Sequence, residues 1–325
     1  MKKRVLITND LPQIAYKILS RQFQVTWNKR PLSERQLVSK VRPYHALLTT
    51  LADPISSEVL QAAVNLRCVA NYAVGYNNID IQKAKERGIW VTNTPDVLTE
   101  ATADIAWALI LACARRIPEG ERMVRAGRFK GWHPLMLLGE DLKGKTLGIY
   151  GFGRIGKAVA RRGRGWDMKV LYHQRHRESP AVEKAFRARY VSFEGLLKSA
   201  DILSVNCPLS QETRHRFTKR ELKKMKRTAI FINTSRGPVH KESDLAMALR
   251  RGWIYSAGLD VYEFEPKVSL ELLRLPNCVL LPHLGSGTVE TRHRMASLAA
   301  RNIERVLSGK PPLTPVFIGK AKKQS

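Results

Sequence analysis

Acidic residues are scarce in this chain. Its 325 residues hold 28 Asp and Glu against 56 Lys and Arg, a formal net charge of +28 at pH 7. A field of that sign attracts nucleic acid, anionic surfaces and small anions alike. No zinc-finger ligand pattern or clear RNA-binding motif accompanies it, so a solvated basic surface that gathers anionic substrate and cofactor is the preferred reading, with nucleic acid bound non-specifically if at all. The basic runs are Arg161-Arg162-Gly163-Arg164, Lys223-Lys224-Met225-Lys226-Arg227 and the Lys320–Lys323 tail. Long apolar runs are absent too, which excludes a bilayer-spanning helix. The N-terminus turns polar too early for a signal peptide and reads as a first strand. Cysteine is sparse: Cys68, Cys113, Cys207 and Cys278 lack metal-ligand spacing and read as reduced core residues rather than a disulfide framework. A cytoplasmic, metal-free enzyme fits. Apolar content, at 44%, is ample for a core, and the length suits two domains.

One stretch organises what is present. Leu147-Gly148-Ile149-Tyr150 is an apolar strand, followed by Gly151-Phe152-Gly153-Arg154-Ile155-Gly156 and then a helix-like run. Strand, Gly-x-Gly-x-x-Gly and helix together are the dinucleotide-binding fingerprint. Gly151 makes the tight turn, Gly153 lets the backbone approach a pyrophosphate, and Gly156 lets helix and strand pack closely. The helix N-terminus offers N–H groups and partial positive charge to phosphates. A glycine-rich turn can be purely structural, but the flanking elements favour the nucleotide.

The following strand, Met168 to Arg177, lacks the acid that reads a ribose 2′-OH near its end. Gln174 stands there, followed by Arg175, His176 and Arg177. Arginines bind a 2′-phosphate bidentately, so NADP(H) is favoured, with NAD(H) possible.

Residues 1–97 alternate strands (Val5–Ile7, Phe23–Trp27, Ala46–Thr50, Arg67–Asn71, Ile89–Thr92) with helices (Pro12–Gln22, Ser33–Lys40 and Ser56–Ala63, the last two opening on serine caps), which means a parallel sheet. Thr99–Arg116 reads as a long buried helix, apolar around its circumference. An irregular stretch begins at Trp132-His133-Pro134. Alternation resumes from Leu147 to Pro282, and His293–Leu307 closes the chain as a helix whose tail rejoins the first domain. The expected fold is α/β: two Rossmann-like or flavodoxin-like doubly wound parallel-sheet domains with a cleft between them. The substrate-binding domain takes residues 1–97 plus 286–325, the nucleotide domain 98–285.

Ligands of open α/β sheets sit beyond the strands' carboxyl ends. Arg236 follows Ala229–Asn233, Glu265 follows Ser256–Asp260, and His283 follows Val279–Pro282. An arginine can hold a 2-oxo acid and polarise its carbonyl, a histidine can deliver a proton, and a carboxylate can orient the histidine. The set is complete for 2-oxo acid reduction.

On these segments, with Asn71 to Asp80, Thr92-Asn93-Thr94-Pro95, Asn233-Thr234-Ser235-Arg236-Gly237, Ala257 to Val261 and Pro282-His283-Leu284-Gly285-Ser286, the chain resembles the D-isomer-specific 2-hydroxyacid dehydrogenase family, within it the glyoxylate/hydroxypyruvate reductase branch. The resemblance runs nearly end to end. It implies Arg236, Glu265 and His283 as catalytic groups, and Leu51, Val74 and Gly75 with Arg236 and His283 on the substrate. It also implies Arg154, Ile155, Thr102, Pro208, Thr234, Ser235, Asp260 and Gly285 along the cofactor, beside Gly151, Gly153, Gly156 and residues 174–177. Trp132-His133-Pro134 resembles a segment that closes over the active site, and a homodimer is expected. Asn206 and His240 depart from the residues common there, histidine and aspartate. The implied activity is NADPH-dependent reduction of glyoxylate and hydroxypyruvate. A reductase of 2-ketogluconate or another 2-oxo acid, and a nucleotide-regulated corepressor-like binder, are the alternatives; the intact Arg, Glu and His set argues against the binder.

Overall fold

The computed structural model describes residues 2–317; the Lys320–Lys323 run lies outside the described residues. The chain forms two compact units, Met1–Leu98 with Thr288–Ser325, and Thr99–Gly287. Both are open, wholly parallel α/β sheets, the expected fold class.

In the first unit β1 (Arg4–Ile7), β2 (Gln24–Trp27), β3 (Ala46–Thr49), β4 (Cys68–Asn71) and β5 (Trp90–Thr92) line up as β2-β1-β3-β4-β5. Every residue of β3 and β4 is buried, as strands covered on both faces must be. The connecting helices are α1 (Ile14–Leu19), α2 (Glu34–Lys40), α3 (Ser57–Ala62) and α4 (Ile81–Glu86). Ser33, Ser56 and Asp80 cap the last three by accepting from Gln36, Val59 and Lys83 N–H.

The second unit opens with α5 (Thr99–Ala114) and α6 (Ile117–Arg125), then β6 (Thr146–Tyr150), α7 (Arg154–Gly163), β7 (Lys169–His173), α8 (Pro180–Phe186), β8 (Ala188–Tyr190), α9 (Phe193–Ser199) and β9 (Ile202–Val205). It continues through α10 (Lys219–Leu222), β10 (Ile230–Asn233), α11 (Glu242–Arg250), β11 (Ser256–Leu259), α12 (Leu270–Leu273) and β12 (Cys278–Leu280). The order is β12-β11-β10-β9-β6-β7-β8, so the direction in which successive strands are added reverses between β6 and β9. That is the switch point where such sheets bind ligands. Alternate residues of one strand feed opposite cores: Val170 and Tyr172 of β7 pack with Val159 and Ile232, while Leu171 packs with Leu196 and Phe231. α13 (Val289–Leu307) belongs to the first unit, and beyond it Thr314 and Pro315 bond to β5 and Asn93.

Several boundaries differ from the sequence reading. The long helix ends at Ala114, not Arg116, because Arg116 turns left-handed (φ 51°) and Pro118 opens α6. The strand expected from Met168 to Arg177 stops at His173, because the following residues fold back through side-chain bonds described below. α1 is shorter than expected, α4 and α6 were not read, and α13 starts four residues before His293. The basic runs are tied into the fold: Arg161 and Arg162 pair with Glu100, Arg162 with Asp104, Lys224 with Glu194 and Lys226 with Asp201. Among the described residues no helix is long and apolar enough to cross a membrane, and all four cysteines are free.

Candidate active site

The glycine loop turns at the end of β6. Gly151 has φ 94°, and a Cβ there would lie 2.7 Å from Cys207 N in the segment after β9. A Cβ on Gly156 would lie 2.2 Å from the Gly151 carbonyl oxygen, so only glycine lets α7 start so close to the strand. Gly153 differs: nothing lies within 4 Å of its Cβ position. Loop and helix thus form an open cradle bounded by backbone, the shape a pyrophosphate needs. Arg154 and Ile155 open α7 behind it. The Thr234 hydroxyl, one loop away, is buried without a hydrogen-bond partner. An open cradle and an orphaned buried hydroxyl fit a dinucleotide.

The β7 end is less simple than an arginine cluster. Gln174 Oε1 accepts from Phe152 N–H in the glycine loop (3.0 Å), while its Nε2 donates to the His176 carbonyl (2.8 Å) and to Glu178 Oε1 (3.0 Å). Arg177 forms a two-point pair with Glu183 at 2.9 and 2.7 Å, and Glu183 also accepts from the Tyr172 hydroxyl. The Arg177 and Tyr172 hydrogen bonds hold the Glu183 carboxyl down at about 2. Arg175 is the loosely held guanidinium, 73% exposed and 3.7 Å from Glu212. His176 is exposed. The sequence reading missed both acids, Glu178 in this loop and Glu183 on α8, although Glu178 follows Arg177 directly.

The chemical groups of the second unit come together through three loops. Beyond β10, Asn233 Oδ1 accepts from Ser235 N–H and hydroxyl, and its Nδ2 donates to the Arg236 carbonyl. These bonds set the turn that carries Arg236, whose Nη1 donates to the Ser235 carbonyl at 2.7 Å. The next residue, Gly237, packs so tightly that a Cβ would fall 1.8 Å from the Tyr262 carbonyl. Hence the Arg236 turn and the 262–265 loop sit backbone to backbone. Burial lowers the Arg236 pKa from its ordinary value, against the pull of Glu265.

Glu265 accepts from Tyr262 N–H through Oε1 (3.0 Å) and faces His283 Nδ1 through Oε2 (2.9 Å). Burial opposes its ionisation, but the His283 hydrogen bond and charge, Tyr262 N–H and Arg236 outweigh burial and hold the carboxyl below its ordinary value. His283 itself is left-handed, φ 56°, which is strained for a residue with a side chain. Asp260 holds that strain in place: its two oxygens accept from Leu284 N–H (2.6 Å) and Gly285 N–H (2.7 Å). Burial raises the Asp260 pKa, with those N–H groups and His283 opposing. Thr102 adds a bond to the Gly285 carbonyl. Thr102, Asp260 and Gly285 therefore brace the histidine loop, a job the sequence reading did not foresee. Pro208, exposed, accepts from the Thr213 hydroxyl through its carbonyl.

A second acid–base set braces the 262–265 loop, also missed from sequence. Glu263 Oε1 meets His215 Nε2 at 2.6 Å, and Glu263 and Glu242 exchange side-chain and backbone bonds (2.5 and 3.1 Å). Its one sequence signal is the acid two residues before Glu265. His240 is fully buried; Nδ1 takes the Asn233 amide at 3.0 Å, and Nε2 has no partner. Burial, then His215, pushes its pKa down to about 3, so it is neutral. Asn206 donates to Ser204 beside the glycine turn.

In the first unit, Leu51 lies half-buried in the turn after β3. Val74 and Gly75 lie in the loop after β4, their carbonyls held by the Asn93 (2.8 Å) and Asn71 (2.9 Å) amides. These two bonds hold the loop in place. Trp132, 79% exposed, lies in a stretch without helix or strand.

Residues 107–285 match the family described as D-isomer specific 2-hydroxyacid dehydrogenase, NAD binding domain. The chain is 49% identical to the glyoxylate reductase of Thermococcus litoralis over 96% of both chains. A glyoxylate reductase structure from Paecilomyes thermophila superposes with a TM-score of 0.88 at 34% identity, covering 97% of this chain and 98% of that one. The NADPH-dependent glyoxylate/hydroxypyruvate reductase of Sinorhizobium meliloti, solved with NADP and malonate, gives a TM-score of 0.87 at 33% identity over 97% of each chain.

Proposed function

Because the chain belongs to the D-isomer specific 2-hydroxyacid dehydrogenase family, and is therefore an oxidoreductase that takes a nicotinamide cofactor and a small 2-oxo acid, we propose that it reduces glyoxylate and hydroxypyruvate with NADPH, His283 giving the proton. The observation that carries this reading is the His283–Glu265 pair, 2.9 Å apart on loops pinned by Asp260 and by Gly237. The relatives named glyoxylate reductase support the substrate.

When bound in the cradle at Gly151–Gly156, the reduced nicotinamide supplies the hydride. Glu265 engages Nδ1 of His283, which fixes that proton on Nδ1 and leaves Nε2 to face the substrate. The Nε2 proton passes to the carbonyl oxygen as negative charge develops there, and the ring ends neutral, hydrogen-bonded to the carboxylate. Arg236, held by its turn in a half-buried place, offers its remaining guanidinium N–H groups to the substrate carboxylate and carbonyl. Leu51, Val74 and Gly75 are assigned to the substrate as well, and the enzyme works as a homodimer.

The test is NADPH oxidation with glyoxylate, hydroxypyruvate and 2-ketogluconate, on wild type and His283→Ala. Turnover of the first two, falling about 10²–10⁴-fold in the variant while nucleotide binding persists, supports the reading. Near-normal turnover without His283 removes the mechanism, and preference for 2-ketogluconate removes the substrate assignment.

A further inference from the structure

The acid that β7 lacks at its end is returned to it by the fold. Beyond Gln174 the chain folds back: the Glu178 N–H donates to the Tyr172 hydroxyl at 3.0 Å, and that hydroxyl donates to Glu183 at 2.8 Å. The turn delivers the Glu178 carboxylate to Gln174 Nε2 (3.0 Å) and to Lys157 Nζ on α7 (3.1 Å). It is well covered, with only 22% of the side chain exposed. Gln174 in turn is bonded to the glycine loop through Phe152 N–H. Side chains at this strand end read the 2′ substituent of a bound adenosine.

We propose that Glu178 is a specificity-determining residue that holds back the preference for a 2′-phosphate. The inference rests on the nucleotide being bound at this loop, as in the proposed function. A phosphate placed against Gln174 meets the Glu178 carboxylate within a few ångströms, and like charges at that range repel strongly where water is partly excluded. Arg175 pulls the other way, but it is mostly exposed and screened, and Arg177 is committed to Glu183. Lys157, 3.1 Å from Glu178, offsets part of that carboxylate's charge, so the cofactor choice is a balance among Arg175, Lys157 and Glu178. A 2′-hydroxyl, by contrast, finds in Glu178 an acceptor, so NADH remains a usable cofactor.

The test compares calorimetric binding of 2′,5′-ADP and 5′-AMP to wild type, Glu178→Gln and Arg175→Ala. Glu178→Gln keeps the side-chain shape, and an unchanged melting temperature checks the loop. The preference for 2′,5′-ADP over 5′-AMP should rise about three- to tenfold in Glu178→Gln, with the gain shrinking as salt is raised. In Arg175→Ala the preference should collapse towards parity. The ratio of kcat/KM for NADPH over NADH should move the same way. A Glu178→Gln preference equal to or below wild type overturns the role of Glu178 and leaves the cofactor reading standing. Failure of the wild-type protein to bind either ligand overturns both.

Discussion

Replacing Glu265 by Gln keeps the side-chain shape and removes the charge that faces His283. In the folded protein burial alone would raise the Glu265 pKa, yet the carboxyl is held below its ordinary value, first by the His283 hydrogen bond and charge. The two groups are coupled through their 2.9 Å contact, so removing the carboxylate's charge changes every step in which His283 gives or takes a proton. A charge-assisted hydrogen bond is worth about 1.5–3 kcal/mol. Both side chains are about one-third exposed, at 35% and 36%, so solvent screening trims this coupling. About 1–2 kcal/mol remains, which is close to one pH unit. In the reducing direction the imidazolium is the active form, so activity falls as pH rises. Without the carboxylate that alkaline limb should move to lower pH by about one unit. In the oxidising direction the neutral ring is the active form, and its acid limb should move to lower pH as well. The assay is kcat/KM for glyoxylate reduction and glycolate oxidation across the pH range, wild type against Glu265→Gln. Superimposable profiles would refute the pairing, whatever the loss in rate.

Four further outcomes follow from the geometry. Arg236→Lys keeps the charge but loses the bidentate fork, and steady-state kinetics should show a KM for the 2-oxo acid about 10- to 100-fold higher, with the KM for NADPH little changed. Gly156→Ala places a Cβ 2.2 Å from a backbone oxygen and should lower the melting temperature, costing about 1–3 kcal/mol or more. Gly153→Ala enters open space and should melt like wild type, yet nucleotide titration should show weaker binding, because the methyl group stands where the pyrophosphate approaches. His240, buried and neutral with its pKa depressed to about 3, takes up a proton on unfolding between that value and its ordinary one. Stability should therefore fall as pH drops below about 6.5, by at most about 1.4 kcal/mol per pH unit from this group. His240→Gln, which retains an acceptor for Asn233, should flatten that slope in chemical denaturation at pH 4–7 (about that range).

Much of this protein was legible in its residues alone. Buried parallel strands are written as continuous apolar runs such as Ala46–Leu48 and Ile230–Ile232, and helix starts as capping serines at positions 33 and 56. The glycine loop, too, is a local sequence pattern, although the demand for Gly151 comes from the distant Cys207 segment and only that for Gly156 comes from a near neighbour, Gly151. Position at strand ends sufficed to nominate Arg236, Glu265 and His283, since parallel sheets collect such ends on one edge. What the sequence could not determine depends on contacts between segments far apart in the chain. Asp260 reads as a cofactor residue but braces the His283 loop through two backbone N–H groups 24 and 25 residues away. Arg177 reads as part of a phosphate site but is claimed by Glu183. Glu263, Glu242 and His215 form one brace from three separate segments. A local pattern fixes backbone shape through nearest-neighbour sterics, whereas the partner of a long charged side chain is decided only once the folded chain places a particular opposite charge, and no other, within hydrogen-bond reach.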